Sequence, residues 1–256
     1  MLLAIDIGNT NTVFALCDES ATRYQWRIRT EAQRTADEYA VWLFTLMKEF
    51  ECTRSDIHGV IVSSVVPEAN FTIGQFAKTY LGQEAIMVTN GLIDGGMKVC
   101  IDNPRELGAD RLINAIAAWE TYKQALIIVD FGTATTFDVV SGAGDYMGGI
   151  IAPGINLSLD ALQRAATKLH GIAIKAPQKV VGTNTTGAMQ SGIYFGYAGL
   201  IEGIVARIKE ERAETMKVIA TGGLATLYAG ATRAIDAVDS DLTIRGLRLM
   251  YKRATR

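Results

Sequence analysis

An α/β chain of two similar halves, each a mixed β-sheet flanked by helices, is what the sequence predicts. The first observation behind this is a repeated pattern. Leu3-Ala4-Ile5-Asp6-Ile7-Gly8-Asn9-Thr10 returns as Ile127-Ile128-Val129-Asp130-Phe131-Gly132-Thr133, close to half a chain length later. Each copy is an apolar run, then Asp-x-Gly, then small hydroxyl or amide residues, then another apolar run. The second observation is the order of periodicities: three strands, then helix and strand in turn, in both halves. The third is bulk, since 256 residues with 49% hydrophobic and 20% charged side chains suffice for two cores.

In the first half, 1–5 and 13–17 read as strands around a turn at 6–12, and 23–29 alternates as a third antiparallel strand. Thr35-Ala36-Asp37-Glu38 opens a helix that continues through Val41, Leu43, Leu46 and Met47 at helical spacing. A short buried strand follows at 59–63, then a helix at 71–81 and a strand at 85–88. In the second half, 125–129, 136–140 and 146–151 are strands and 156–169 is a long helix. A second helix at 191–212, a strand at 217–220 and the start of another helix at 224–228 complete it. No Pro/Gly/Ser-rich linker separates the halves, so the hinge is expected within a helix at 111–123. Three antiparallel strands, then helix, strand, helix and strand, is the order of the ribonuclease-H-like fold. Its duplication with Asp-x-Gly loops is the plan of the actin-like ATPases, which include acetate and sugar kinases, Hsp70 and actin. The expected domains are an N-terminal actin-like ATPase domain over 1–112 and a C-terminal one over 113–256.

Several function classes are excluded early. A net charge of −2 leaves no electrostatic footprint for nucleic acid. The basic clusters Arg27/Arg29 and Arg245, Arg248, Lys252, Arg253, Arg256 each read as a solvated face or a frayed end. Cys17, Cys52 and Cys100 form no CxxC pair, and His58 and His170 are far apart, so no zinc site is expected. These cysteines and histidines read as packing or surface residues, and free thiols fit a reducing compartment. The start reads as a strand and not a signal peptide, and no apolar run reaches the length of a membrane span. A soluble, cytoplasmic protein is expected. Walker and GxGxxG loops are absent, which removes two common routes to nucleotide binding.

The chemistry is expected at the Asp-x-Gly loops. A buried strand ending in Asp-x-Gly places a carboxylate beside a tight turn, whose glycine lets backbone N–H groups approach an anion. The carboxylate can hold Mg²⁺ directly or through water. Gly-Asn also suits a plain hairpin turn, and it is the second copy that favours phosphate binding. Two such loops facing each other could grip one nucleotide triphosphate. Thr221-Gly222-Gly223 after the strand at 217–220 could admit adenine or ribose, or could form a plain strand-to-helix turn. Asp110, in Asn103-Pro104-Arg105-Glu106-Leu107-Gly108-Ala109-Asp110-Arg111, can be read as a helix N-cap. It can equally take a proton from a substrate hydroxyl, with Arg111 holding a substrate anion. The glycine-rich turn at 148–154 and the polar turn at 181–186 could line a pocket or merely start helices.

Taken together, the motifs resemble those of the type III pantothenate kinases, a family of the acetate and sugar kinase superfamily. The resemblance runs essentially the whole chain: DIGNTNT at 6–12, TADEY at 35–39, SSVVP at 63–67, NPRELGADR at 103–111, DFGTATTFD at 130–138, GGIIAPG at 148–154, GTNTTGAMQSG at 182–192 and ATGG at 220–223. It implies ATP-dependent phosphorylation of the pantothenate 4′-hydroxyl, the first step of coenzyme A biosynthesis. By the same resemblance Asp6, Ile7, Gly8, Asn9, Thr10, Asn11, Thr12, Val13 and Thr133 contact ATP. Asp110 is the implied proton acceptor. Gly108, Ala109, Arg111 and Thr185 join it at pantothenate. Asp130 is implied as the site of a monovalent cation, K⁺ or NH₄⁺, and the protein as a homodimer, while Mg²⁺ is expected at Asp6 from the chemistry of its loop. The family often has Tyr two residues before Asn103, where this chain has Ile101, which could pack on the gem-dimethyl group of pantothenate but donates no hydrogen bond. Two rival readings remain at this point: a kinase of the superfamily with another small hydroxyl acceptor, and a non-catalytic accessory relative. The presence of Asp6, Asp110, Arg111, Asp130 and Thr133 argues against lost catalysis.

Overall fold

The computed structural model describes residues 1–88, 96–165 and 172–255. The chain divides into two compact units. The first comprises Met1–Met97, Asp102–Ala117 and Asp241–Arg256, and the second Lys98–Ile101 and Ala118–Ser240.

The first unit holds β1 (Leu2–Ile7), β2 (Asn11–Cys17), β3 (Thr22–Arg29), α1 (Ala36–Glu49), β4 (Gly59–Ser64), α2 (Pro67–Phe76) and β5 (Ala85–Val88). Its sheet order is β3-β2-β1-β4-β5. The first three strands are antiparallel, while β4 runs parallel to both β1 and β5. Central β1 divides its side chains by size. Leu3, Ile5 and Ile7 pack with Phe14, Leu43 and Phe76 on one face. Ala4 faces the other way, with Ala15 and Ile61. Edge strand β3 alternates half-buried and exposed residues, so Arg27 and Arg29 do form a solvated face. The predicted start of α1 is confirmed by a reciprocal capping box. Thr35 Oγ1 accepts from the Glu38 amide at 3.3 Å and the Thr35 amide donates to Glu38 Oε2 at 2.7 Å. The helix expected at 71–81 starts earlier, with Pro67 in the first turn of α2, and its last turn (Ala77–Leu81) is a π-turn.

Helix α3 (Ala109–Tyr122) begins two residues before the expected start and passes from the first unit into the second between Ala117 and Ala118. The expected domain boundary at 112/113 falls inside this helix. Asp110 is therefore not the N-cap. It lies in the first turn, its Oδ1 accepting from the Arg111 amide at 2.8 Å.

The second unit repeats the plan with β6 (Leu126–Phe131), β7 (Ala134–Val140), β8 (Tyr146–Pro153), α4 (Ile155–Ala165), α5 (Thr185–Arg212), β9 (Lys217–Gly222), α6 (Ala225–Ala229) and β10 (Ala237–Val238). Its sheet order, β10-β9-β6-β7-β8, maps strand for strand onto the first sheet. Helix α4 matches the expected 156–169 helix as far as Ala165; 166–169, and His170, lie outside the described residues. Helix α5 starts six residues before the expected Ser191, because Asn184 Oδ1 caps it by accepting from the Gly187 amide at 2.8 Å. Its Ile193, Tyr197, Ile201, Val205 and Ile208 pack over Ile127, Val129 and Phe137.

Of the two readings of the basic tail, the last helix, α7 (Leu242–Ala254), sets aside the frayed end. Ile244, Leu247 and Met250 join Ala4, Ala15, Ile61, Ile113 and Ile116 in a core of the first unit. Arg248 is itself buried. The charges sit on one face of an amphipathic helix whose apolar face covers the small residues of β1 and β2.

Candidate active site

Asp6 stands one residue from the end of β1, level with Val13 of β2 and Ser63 of β4. The turn after it is closed by the Gly8 amide donating to Asn11 O at 3.0 Å. A methyl group added at Gly8 would stand 3.2 Å from that same oxygen, so the tight turn favours glycine. Thr30, at the end of β3, braces the loop. Its hydroxyl donates to Gly8 O at 2.7 Å and lies 2.9 Å from the buried Thr12 hydroxyl. Asn9, Thr10 and Asn11 are left exposed, while Ile7 is buried and Val13 half-buried. The sequence reading missed Thr30 because the contact is made only when β3 folds back beside β2.

Asp110 is brought close to Asp6. Burial, with the Asp110 charge adding to it, pushes the Asp6 carboxyl up to about 7, and the Ser63 hydroxyl works in the opposite direction. Gly108 makes room for this arrangement, because a methyl group there would lie 2.5 Å from Asp110 Oδ1. Ala109 is buried at the helix start, and Arg111 follows, half-buried, on the same first turn. Two acidic groups and a guanidinium thus share one end of the first sheet. Ser63 has no site role in the sequence reading, where it closes the five-residue strand expected at 59–63 and opens the SSVVP motif.

In the second unit Asp130 occupies the position equivalent to Asp6, level with Thr136 and Thr221. The turn is one residue shorter, closed by the Gly132 amide donating to Ala134 O at 3.0 Å. Thr133 is exposed at its tip. A methyl group at Gly154 would fall 2.0 Å from Thr133 O, so only glycine lets the start of α4 approach this turn. Gly222 has φ +90°, and a methyl group on it would lie 2.6 Å from Asp130 Oδ1 and 2.7 Å from Phe131 O. The paired glycines after β9 therefore have a structural reason: Gly222 packs against Asp130, while Gly223 faces open space.

Ile101 is held by the strand-like segment before it. The Cys100 amide donates to Tyr146 O at 2.7 Å, and the Tyr146 amide to Lys98 O at 2.8 Å. The Tyr146 hydroxyl is anchored on the buried Asp138 at 2.7 Å. Ile101 Cγ2 then lies 3.7 Å from where a methyl group on Gly148 would be. Thr185 is the first residue of α5 and is exposed. Among the described residues no three His, Cys, Asp or Glu side chains converge as a metal cluster. No described helix is long and apolar enough to cross a membrane.

Two sheets of matching strand order, each with an Asp-x-Gly turn at the end of its central strand, define the duplicated ribonuclease-H-like fold of actin-like ATPases and sugar kinases. A Sinorhizobium meliloti protein provisionally named 2-dehydro-3-deoxygalactonokinase has this fold with a TM-score of 0.59 at 14% identity, covering 100% of this chain and 96% of its own. A Campylobacter jejuni protein provisionally named a Baf family transcriptional activator gives 0.59 at 20%, covering 98% and 97%. The family model for type III pantothenate kinase matches residues 2–207. The type III pantothenate kinase of Paramagnetospirillum magneticum is 53% identical over 253 residues, 99% of this chain and 97% of its own length. The chain belongs to the type III pantothenate kinase family.

Proposed function

We infer that this protein transfers the terminal phosphoryl group of ATP to the 4′-hydroxyl of pantothenate, the first step of coenzyme A biosynthesis. The observation that carries the reading is its coverage: similarity to a type III pantothenate kinase extends over 99% of the chain, both Asp-x-Gly turns included. In this reading the loop from Asp6 to Val13 offers its exposed amide and hydroxyl groups to ATP. Thr133 of the second unit adds a hydroxyl to the same ligand. Asp110 accepts the proton of the 4′-hydroxyl as the new O–P bond forms and the bond to ADP breaks. Gly108, Ala109, Arg111, Ile101 and Thr185 hold pantothenate, with the Arg111 guanidinium suited to its carboxylate.

The residues present fit the metal ions of the family. Two neighbouring carboxylates, one of them driven toward its neutral form by burial and by the charge of the other, call for a cation. One or two carboxylates completed by substrate phosphates is the usual Mg²⁺ complement. Mg²⁺ at Asp6 would neutralise phosphate charge during transfer, where charge compensation and positioning supply most of the catalysis. Asp130, with Phe131 O close by, offers oxygen ligands for K⁺ or NH₄⁺. The reading includes a cytoplasmic homodimer. Ile150 and Ile151 of β8 and Leu157 and Leu162 of α4 are large, apolar and exposed, which supports a partner on that side of the second unit.

ADP release with ATP, Mg²⁺ and pantothenate, in K⁺ and then in Na⁺ alone, tests the proposal. Turnover that needs both pantothenate and K⁺ is expected. Equal turnover in Na⁺ would overturn the role given to Asp130, and no pantothenate-dependent turnover in either salt would overturn the function.

A further inference from the structure

The first unit carries a cavity at the opposite end of its sheet from the Asp6 turn. Its volume is about 460 Å³, and its walls include Leu2 at the start of β1, Cys17 at the end of β2 with Asp18 and Glu19 after it, and Arg248, Tyr251 and Lys252 of α7. At roughly 3.3 Å per residue, β1 separates it from Gly8 by about 20 Å. The volume lies in the range of small-molecule sites. Its lining shares no residue with those assigned above to ATP or pantothenate.

Its electrostatics are unbalanced. Arg248 Nη2 donates to Glu19 O at 3.0 Å, and Lys252 Nζ donates to the same oxygen at 2.9 Å. Two cations therefore meet at one neutral carbonyl, close enough to repel each other. Arg248 is only 9% exposed, and its Nε has no hydrogen-bond partner. Among the described residues neither cation is paired with a carboxylate. The nearest acids are committed elsewhere or exposed. Asp18 is bridged to Arg23 and accepts from the Ser20 and Ala21 amides. Asp241 accepts from Thr22, and the Glu19 side chain is exposed. A buried guanidinium without a counter-charge is costly, and an oxyanion between the two cations removes both the deficit and the repulsion. Leu2, Cys17 and the Tyr251 ring, also in the wall, suit an apolar body attached to that anion.

We propose that this cavity is a binding site for a small organic anion, a phosphate or carboxylate joined to a compact apolar group, held by Arg248 and Lys252. The site is separate from the phosphate turns.

The test is calorimetric titration of phenyl phosphate into the full-length protein, with a non-hydrolysable ATP analogue and pantothenate at saturation to block the phosphate turns. One saturable site is expected. Losing one charge-assisted hydrogen bond should weaken it about ten-fold in Arg248→Met and about three-fold in Lys252→Met. Lys252 is exposed, so its variant keeps the fold even if Arg248→Met does not. Absence of saturable binding overturns the proposal, and so does undiminished affinity in Lys252→Met.

Discussion

Asp6 and Asp110 oppose each other electrostatically, and the consequences can be measured separately. Asp6 goes from a value of 3.8 to about 7 on folding without metal, chiefly through burial. A carboxyl raised in this way binds a proton in the folded state that the unfolded chain has released. The stability it confers is present below about pH 4 and is lost as pH rises through about 7. Asp6→Asn, neutral throughout, should therefore gain thermal stability relative to the native protein between about pH 5 and about pH 8 in the absence of Mg²⁺. A difference that stays constant across that interval would mean Asp6 is not held in this environment. Asp110→Asn tests the chemistry instead. If Asp110 is the proton acceptor, turnover should fall by about 10²–10⁴ while ATP affinity holds; unchanged turnover would refute the role. The residue-level reading from sequence singled out Asp6 and Asp130 because Asp-x-Gly is a local signal, and Asp110 through the motif NPRELGADR. It did not reach Ser63 or Thr30, whose contacts with the Asp6 turn exist only through pairing with distant strands.

Elements were legible where periodicity and caps agree, as in α1 with its Thr35–Glu38 box and in the three-strand openings of both sheets. They were misread where packing decides. Helix α7 contains five basic residues within and just after it, and its apolar positions are spaced between them. The Ala4/Ala15 face of the first sheet, with Ile113 and Ile116 of α3, gives those positions their partners. Two glycines mark how closely it docks. A methyl group on Gly59 would lie 2.0 Å from the Tyr251 hydroxyl oxygen, and one on Gly246 would lie 2.4 Å from Ile113 Cγ2 and 2.8 Å from Ile113 O. Gly246→Ala should therefore overpack the contact between α7 and α3 and cost about 1–3 kcal/mol. Urea unfolding would report this as a lower midpoint, and a midpoint equal to that of the native protein would show that α7 docks less tightly than these distances require.

At the scale of the whole molecule, duplication was the most legible property, because two turns and two strand orders repeat along the chain. The exposed apolar residues of β8 and α4 lead to the expectation of a dimer, with a mass in solution of twice 27.7 kDa. Light scattering on the eluting protein would measure it, and a peak at the single-chain mass would remove the dimer from the proposal. The placement of α7 also has a consequence for synthesis. The core of the first unit includes Ile244, Leu247 and Met250, while every segment of the second unit precedes Asp241. On the ribosome the second unit can therefore finish first, although it begins later. At about 5–20 residues per second, the β1–β5 sheet waits on the order of ten seconds with its Ala4/Ala15 face uncovered. During translation that face is where a chaperone would be needed.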